Sequence, residues 1–151
     1  MLKKIIIGII LLLVFIQFIP LKETNPKVDE SISLHTDENI MKILKKSCYD
    51  CHSNETKWSI YSKIAPLSFQ IHSNVKIGRA ALNFSNWKDI KKDIKIARLK
   101  RAIKTVNNKM MPLSEYLSLH EEARMSSDDR KVLVKWLENE LRLIAPDQVY
   151  F

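Results

Sequence analysis

Apolar residues recur along this chain at helical spacing, and short polar segments separate the runs. The first run differs from the rest. From Ile5 to Ile16 the residues are apolar without interruption, with Lys3 and Lys4 ahead of them and Gln17, Phe18, Ile19 and Pro20 behind. A run that is apolar all round lacks the single apolar face of a core helix. Basic residues before it mark an export signal or a membrane anchor whose N-terminus stays in the cytoplasm. Bulky residues stand where a signal peptidase needs small ones, so residues 1–21 are expected to persist as a transmembrane signal-anchor at the short end of what spans a bilayer. Residues 22–35 mix Asn25, Pro26, charges and serines without apolar period and read as a tether; residues 36–151 read as the folded domain.

Within that domain, Thr36 or Asp37 can cap a helix with Ile40, Met41, Ile43 and Leu44 on one face and Lys45 and Lys46 in its last turn. Trp58, Tyr61, Ile64 and Ala65 follow at helical spacing. Pro66 then opens a helix striped by Leu67, Ile71, Val75 and Leu82, on which His72 and Arg79 share a face. After a polar break around Phe84, Ser85 is expected to cap a helix from Trp87 to about Val106. Its apolar side would be Ile90, Ile94, Ala97 and Ala102 or Ile103, with basic residues around the rest, and Asn107 and Asn108 would end it. Lys109 to Leu113 is a loop. A capping box at Ser126 and Asp129 opens the last helix, with Leu133, Trp136, Leu137, Leu141 and Ile144 as its stripe and Pro146 at its close. The expected fold is therefore all-α. Two glycines in 151 residues are too few for a turn-rich β architecture.

Composition adds charge and compartment. The formal net charge is +8, which favours encounters with acidic partner proteins and anionic lipid head groups. Nucleic acid is not expected as a partner of an exported, anchored domain.

The candidate chemistry is concentrated in Cys48, Tyr49, Asp50, Cys51 and His52, which hold both cysteines of the chain and one of its four histidines. This is the Cys-x-x-Cys-His spacing of covalent c-type haem attachment. Two thiols about one helical turn apart can each form a thioether to a haem vinyl group, while the adjacent imidazole binds iron from beneath the ring. Zinc would need a second ligand pair, which is missing. A thioredoxin-like pair would sit in a βαβ unit, and no strand pattern lies near it. A disulfide across two residues would close too small a loop to remove much entropy. Haem c attached through Cys48 and Cys51, with His52 as iron ligand, is the expected cofactor. Because this attachment occurs outside the bacterial cytoplasmic membrane, the haem domain is expected to face the periplasm.

Candidates for the second iron ligand are Met111, Met110, His72, His120 and His35. Pro112 restricts Met111 to an extended conformation on a loop, which suits a fixed thioether, and Met110 would point the other way. His72 is the alternative, its other role being a hydrogen bond to a haem propionate with Arg79 pairing the second propionate. His120 reads as a supporting or surface residue, and nothing fixes His35. Trp58 is a candidate cavity wall.

The residues "SCYDCHSNET", His72, Gly78 with Arg79, "LNFSNW", "MPLSEYLSLHEEA" and the closing helix around Trp136 resemble the bacterial haem-binding domain family of small exported cytochrome c-like proteins. The resemblance runs over nearly the whole chain. It places the family's Met-Pro on Met111 and Pro112 and its recurrent histidines on His72 and His120; where the family has Pro-Trp-Tyr, this chain has Lys57, Trp58, Ser59, Ile60 and Tyr61. It implies a cytochrome c-like fold and electron transfer between redox proteins rather than enzyme catalysis. A haem-based sensor or a peroxidase-like enzyme is the alternative. It also implies that a backbone carbonyl at Ala65 or Pro66 holds the second ring nitrogen of His52.

Overall fold

The computed structural model describes residues 1–148, and its architecture is all-helical: seven α-helices and no strand among the described residues. The last three residues of the domain expected over 36–151 lie outside them.

Helix α1 (Leu2–Phe15) extends the apolar run, every residue exposed. At 14 residues it is about 21 Å long, against a hydrocarbon layer of about 30 Å. Among the described residues no helix is long and apolar enough to cross a membrane, so the transmembrane helix expected over residues 1–21 is not found. Regular α-geometry stops at Phe15 and gives way to a tight turn over Ile16–Phe18.

The segment after it is fastened to the domain along its length. Asn25 donates Nδ2–H to Thr56 O (2.9 Å), and its Oδ1 accepts from Arg79 and from Trp58 Nε1. Farther on, Leu34 N donates to Phe84 O at 2.9 Å, and Ser33 and Leu34 are buried. This segment thus lacks apolar period because backbone and polar side chains hold it down.

Helix α2 (Glu38–Ser47) starts where Asp37 accepts from Asn39 N and Ile40 N, and it buries Ile40, Ile43 and Leu44. Cys48 leaves helical geometry for one residue before the short helix α3 (Tyr49–His52). No continuous helix joins Trp58 to Ala65; a 3₁₀ turn covers only Ile60–Lys63. Helix α4 (Leu67–Ala81) follows Pro66 and buries Val75 and Gly78.

The next helix begins later than its periodicity suggests. Asn83 accepts from Ser85 N, a 3₁₀ turn covers Phe84–Asn86, and α5 runs over Lys92–Asn107. Ser85 does not cap it, because its hydroxyl accepts from Asn54 N at 2.9 Å. Trp87 is freed from the helix and stacks between Phe84 (5.9 Å) and Trp136 (5.8 Å). The face that α5 buries is Leu99, Ile103 and Val106, whereas Ile94 and Ala97 are exposed. Lys109 ends the helix at φ 58°.

After the short helix α6 (Ser114–Leu117), α7 (Ser127–Ile144) opens at the expected cap, Ser126 Oγ accepting from Asp129 N at 3.0 Å. It buries Leu133, Trp136, Leu137 and Leu141 against α5 and α2. On the other side, α3 packs against α4. The ring stack Tyr49–Phe84–Trp87–Trp136 links the cysteine turn to the closing helix.

Candidate functional site

Between these layers lies a cavity of about 440 Å³. Cys48, Cys51 and His52 line it, with apolar walls from Leu67, Ile71, Val75 and Leu82 on one side and Ala102, Val106, Leu133 and Leu137 on the other. Met111 and Pro112 line it too, as does Trp58.

The cysteine turn is built to hold its shape. Cys51 N and His52 N both donate to Cys48 O, at 3.2 and 2.9 Å, so the two thiols project from a single turn. Asp50 fixes the turn from outside: its carboxylate accepts from Tyr116 Oη (2.7 Å) and Lys57 N (3.1 Å), and its carbonyl accepts from Thr56 Oγ1 (2.7 Å). Burial and this bond to a carboxylate push the Tyr116 hydroxyl above its ordinary pKa. Gly78 lets α4 approach the turn. A Cβ at that position would overlap Cys51 O and touch the Cys51 carbonyl carbon and Cβ at 3.0 Å.

His52 donates Nδ1–H to Leu82 O at 3.0 Å. The acceptor is thus not Ala65 or Pro66. Ala65 is engaged elsewhere, its N–H and C=O pairing with the Gln17 side-chain amide, both at 3.0 Å. With Nδ1 held, Nε2 is the nitrogen left to ligate. Burial lowers the imidazole pKa, against hydrogen bonds to Leu82 and Gly78 carbonyls that raise it, which favours the neutral ring with a lone pair on Nε2.

The thiols are free, and burial pushes Cys48 up to about 12 and Cys51 up to about 11. A thiol-disulfide oxidoreductase needs the opposite, a thiolate stabilised near neutral pH.

The remaining predicted residues divide. Met110 and Met111 both line the cavity; Met111 is half-buried against the core, held by Arg130 Nη1 donating to its carbonyl at 3.0 Å, whereas Met110 is 59% exposed. His72 does not line the cavity; it stacks on Trp58 at 4.7 Å, its Nε2 buried without a hydrogen-bond partner. Arg79 does not line it either. Its guanidinium donates to Ser53 O (2.7 Å), Thr24 O (2.8 Å), Asn25 Oδ1 (2.9 Å) and Thr56 Oγ1 (2.8 Å), which leaves the propionate role assigned to it unmet. His35 is exposed, bonded to Glu30 O at 2.8 Å. His120, read as a supporting residue, lines the cavity, bonded through Nε2 to Tyr61 Oη and through Nδ1 to Glu122 (3.0 Å), with its ring on Tyr116. Tyr61 was legible only as part of a helical stripe and Tyr116 only within the family stretch, neither as a site residue; Gly78 was legible as a glycine inside a helical pattern.

Residues 11–139 match the family model of the haem-binding domain. The chain belongs to the haem-binding domain family. No match was found among curated proteins or among solved structures. The donor set fits what a haem-binding domain must offer: an apolar cavity, an imidazole with its second nitrogen already held, and a thioether on the same lining. Cys48 and Cys51 stand beside that imidazole.

Proposed function

We propose that this haem-binding domain is a monohaem cytochrome of the c type that passes single electrons between redox proteins. One observation carries the reading: His52, its Nδ1 fixed by Leu82 O, shares a cavity lining with Cys48, Cys51 and Met111. In this reading Cys48 and Cys51 hold the haem through thioethers, His52 Nε2 ligates iron, and Met111 supplies the second ligand in preference to His72, which is turned toward Trp58. When bound, the haem supplies a one-electron iron couple tuned by its ligands and by burial. With His52 and Met111 both holding iron, no position would be left for a substrate, so this reading makes the domain an electron carrier rather than an enzyme. The apolar walls exclude water, and the Leu82 carbonyl fixes the tautomer and orientation of His52.

Haem staining of a denaturing gel after expression with c-type maturation tests attachment, because thioether-linked haem stays on the chain. Met111→Ala should lose the weak sulfur-to-iron charge-transfer band of the oxidised protein and gain carbon monoxide binding. If the wild-type protein already binds carbon monoxide, the sensor or peroxidase-like reading replaces this one.

Localisation belongs to the same reading. The exposed, apolar α1 with Lys3 and Lys4 at its start associates with the inner membrane, the haem domain facing the periplasm, and the net charge of +8 suits acidic docking surfaces on partners. Native protein should then resist a salt wash and need detergent for release. Release by salt alone would contradict the anchor.

A further inference from the structure

Arg79 is engaged away from the cavity through four hydrogen bonds, and α5 offers another cation to the carboxylates of a bound haem. Arg98, Arg101, Ala102 and Thr105 lie on one face of that helix, and all four line the cavity. The two ends of this face are tied to opposite sides of the site. Arg98 Nη2 donates to Ala80 O (2.8 Å), two residues before the carbonyl that holds His52. Thr105 O accepts from both Met110 N (2.9 Å) and Met111 N (3.2 Å). Arg101 stands between them, one turn from each, exposed at the rim; among the described residues its guanidinium has no hydrogen bond or ion pair.

We infer that Arg101 is the residue that pairs with a haem propionate, a role resting on the haem reading above. Thioether-bearing and propionate-bearing edges are opposite edges of a haem. Cys51 lies in α3 and Cys48 directly before it, and α3 packs against α2 and α4, whereas α5 packs on α7. The third cation on the lining, Lys57, has its backbone fixed beside the cysteine turn, its main-chain N–H donating to Asp50 Oδ1 at 3.1 Å. A propionate emerging at the α5 rim therefore meets Arg101, whose planar guanidinium can take a carboxylate through two parallel N–H···O bonds while both remain wetted.

The test uses the haem-loaded full-length protein and compares wild type with Arg101→Gln and Lys104→Gln. Lys104 is exposed on the same helix and off the cavity lining, so its variant removes the same charge without the contact. Resonance Raman spectra should show the propionate bending bands shifted in Arg101→Gln and unmoved in Lys104→Gln. The midpoint potential should fall in Arg101→Gln, because an unpaired carboxylate favours ferric iron. Unmoved bands in Arg101→Gln, or equal shifts in both variants, would overturn the assignment while leaving haem binding intact. A wild-type protein that takes up no haem would overturn the haem reading and this assignment with it.

Discussion

Gly78 sets how closely helix α4 can lie against the cysteine turn, which makes Gly78→Ala the sharpest single test of the packing. In an unobstructed helix interior the change would stabilise by about 1 kcal/mol, because alanine loses less backbone entropy than glycine. Here the new Cβ overlaps the backbone oxygen of Cys51 and presses on two more Cys51 atoms at 3.0 Å. None of these is the flexible end of a side chain, and the turn that would have to yield is braced by Asp50 and by the His52–Leu82 bond. Overpacking against such a wall costs up to about 3 kcal/mol, so the net loss is about 2 kcal/mol. For a domain of this size that corresponds to a Tm lower by about 4–8 °C. Circular dichroism melts would read the loss. Haem content by pyridine haemochrome should fall in parallel, since α4 carries the carbonyl environment of His52. Gly8→Ala is the control, because nothing lies within 4 Å of a Cβ there. A Gly78→Ala protein that melts at or above the wild-type temperature with full haem content would show that α4 does not rest on the cysteine turn.

Other substitutions separate packing from charge. Arg79→Ala removes four hydrogen bonds and should cost about 2 kcal/mol in urea unfolding, discounted for partial exposure; haem content should persist, residues 22–35 should become protease-sensitive, and Arg79→Lys should not rescue. Lys109→Gly should raise the unfolding free energy read from urea titration by about 1 kcal/mol, since Lys109 sits at φ 58° where a side chain is strained. Asp129 has its pKa lowered, first by the Lys46 hydrogen bond, so its contribution is present above the ordinary value of 3.8 and lost as pH falls through the lowered folded value. The stability gap to Asp129→Asn, about 0.5 kcal/mol for so exposed a pair, should therefore be full at pH 7 and close below pH 3.8 in pH-dependent melts.

How much of this was legible in the residues follows from the range of the interactions. Local rules were enough for the cysteine turn, for the Asp37 and Ser126 caps and for the α7 stripe, because each depends on neighbours within one or two turns. The α5 boundary depended on more. Trp87 continues a helical period, but its ring is worth more stacked between Phe84 and Trp136, and Ser85 is claimed by Asn54 from another segment. The acceptor for His52 lies thirty residues along the chain, so no local pattern could single out Leu82 over Ala65.

Arg79 shows the same division at the site. Its spacing from His72 put both on one helical face, and the charge was right for a propionate. Which side of that face meets the cavity is a property of how α4 packs, and α4 turns Arg79 toward Thr24, Asn25, Ser53 and Thr56. Conversely, Arg101 looked like one cation among many on a basic helix until the fold laid that face along the rim of the cavity. Residue identity thus determined by itself which chemistry the chain can perform, because thiol, imidazole and thioether reactivity travel with the side chain. Only tertiary packing decided which groups share one cavity, because orientation comes from contacts between segments far apart in sequence.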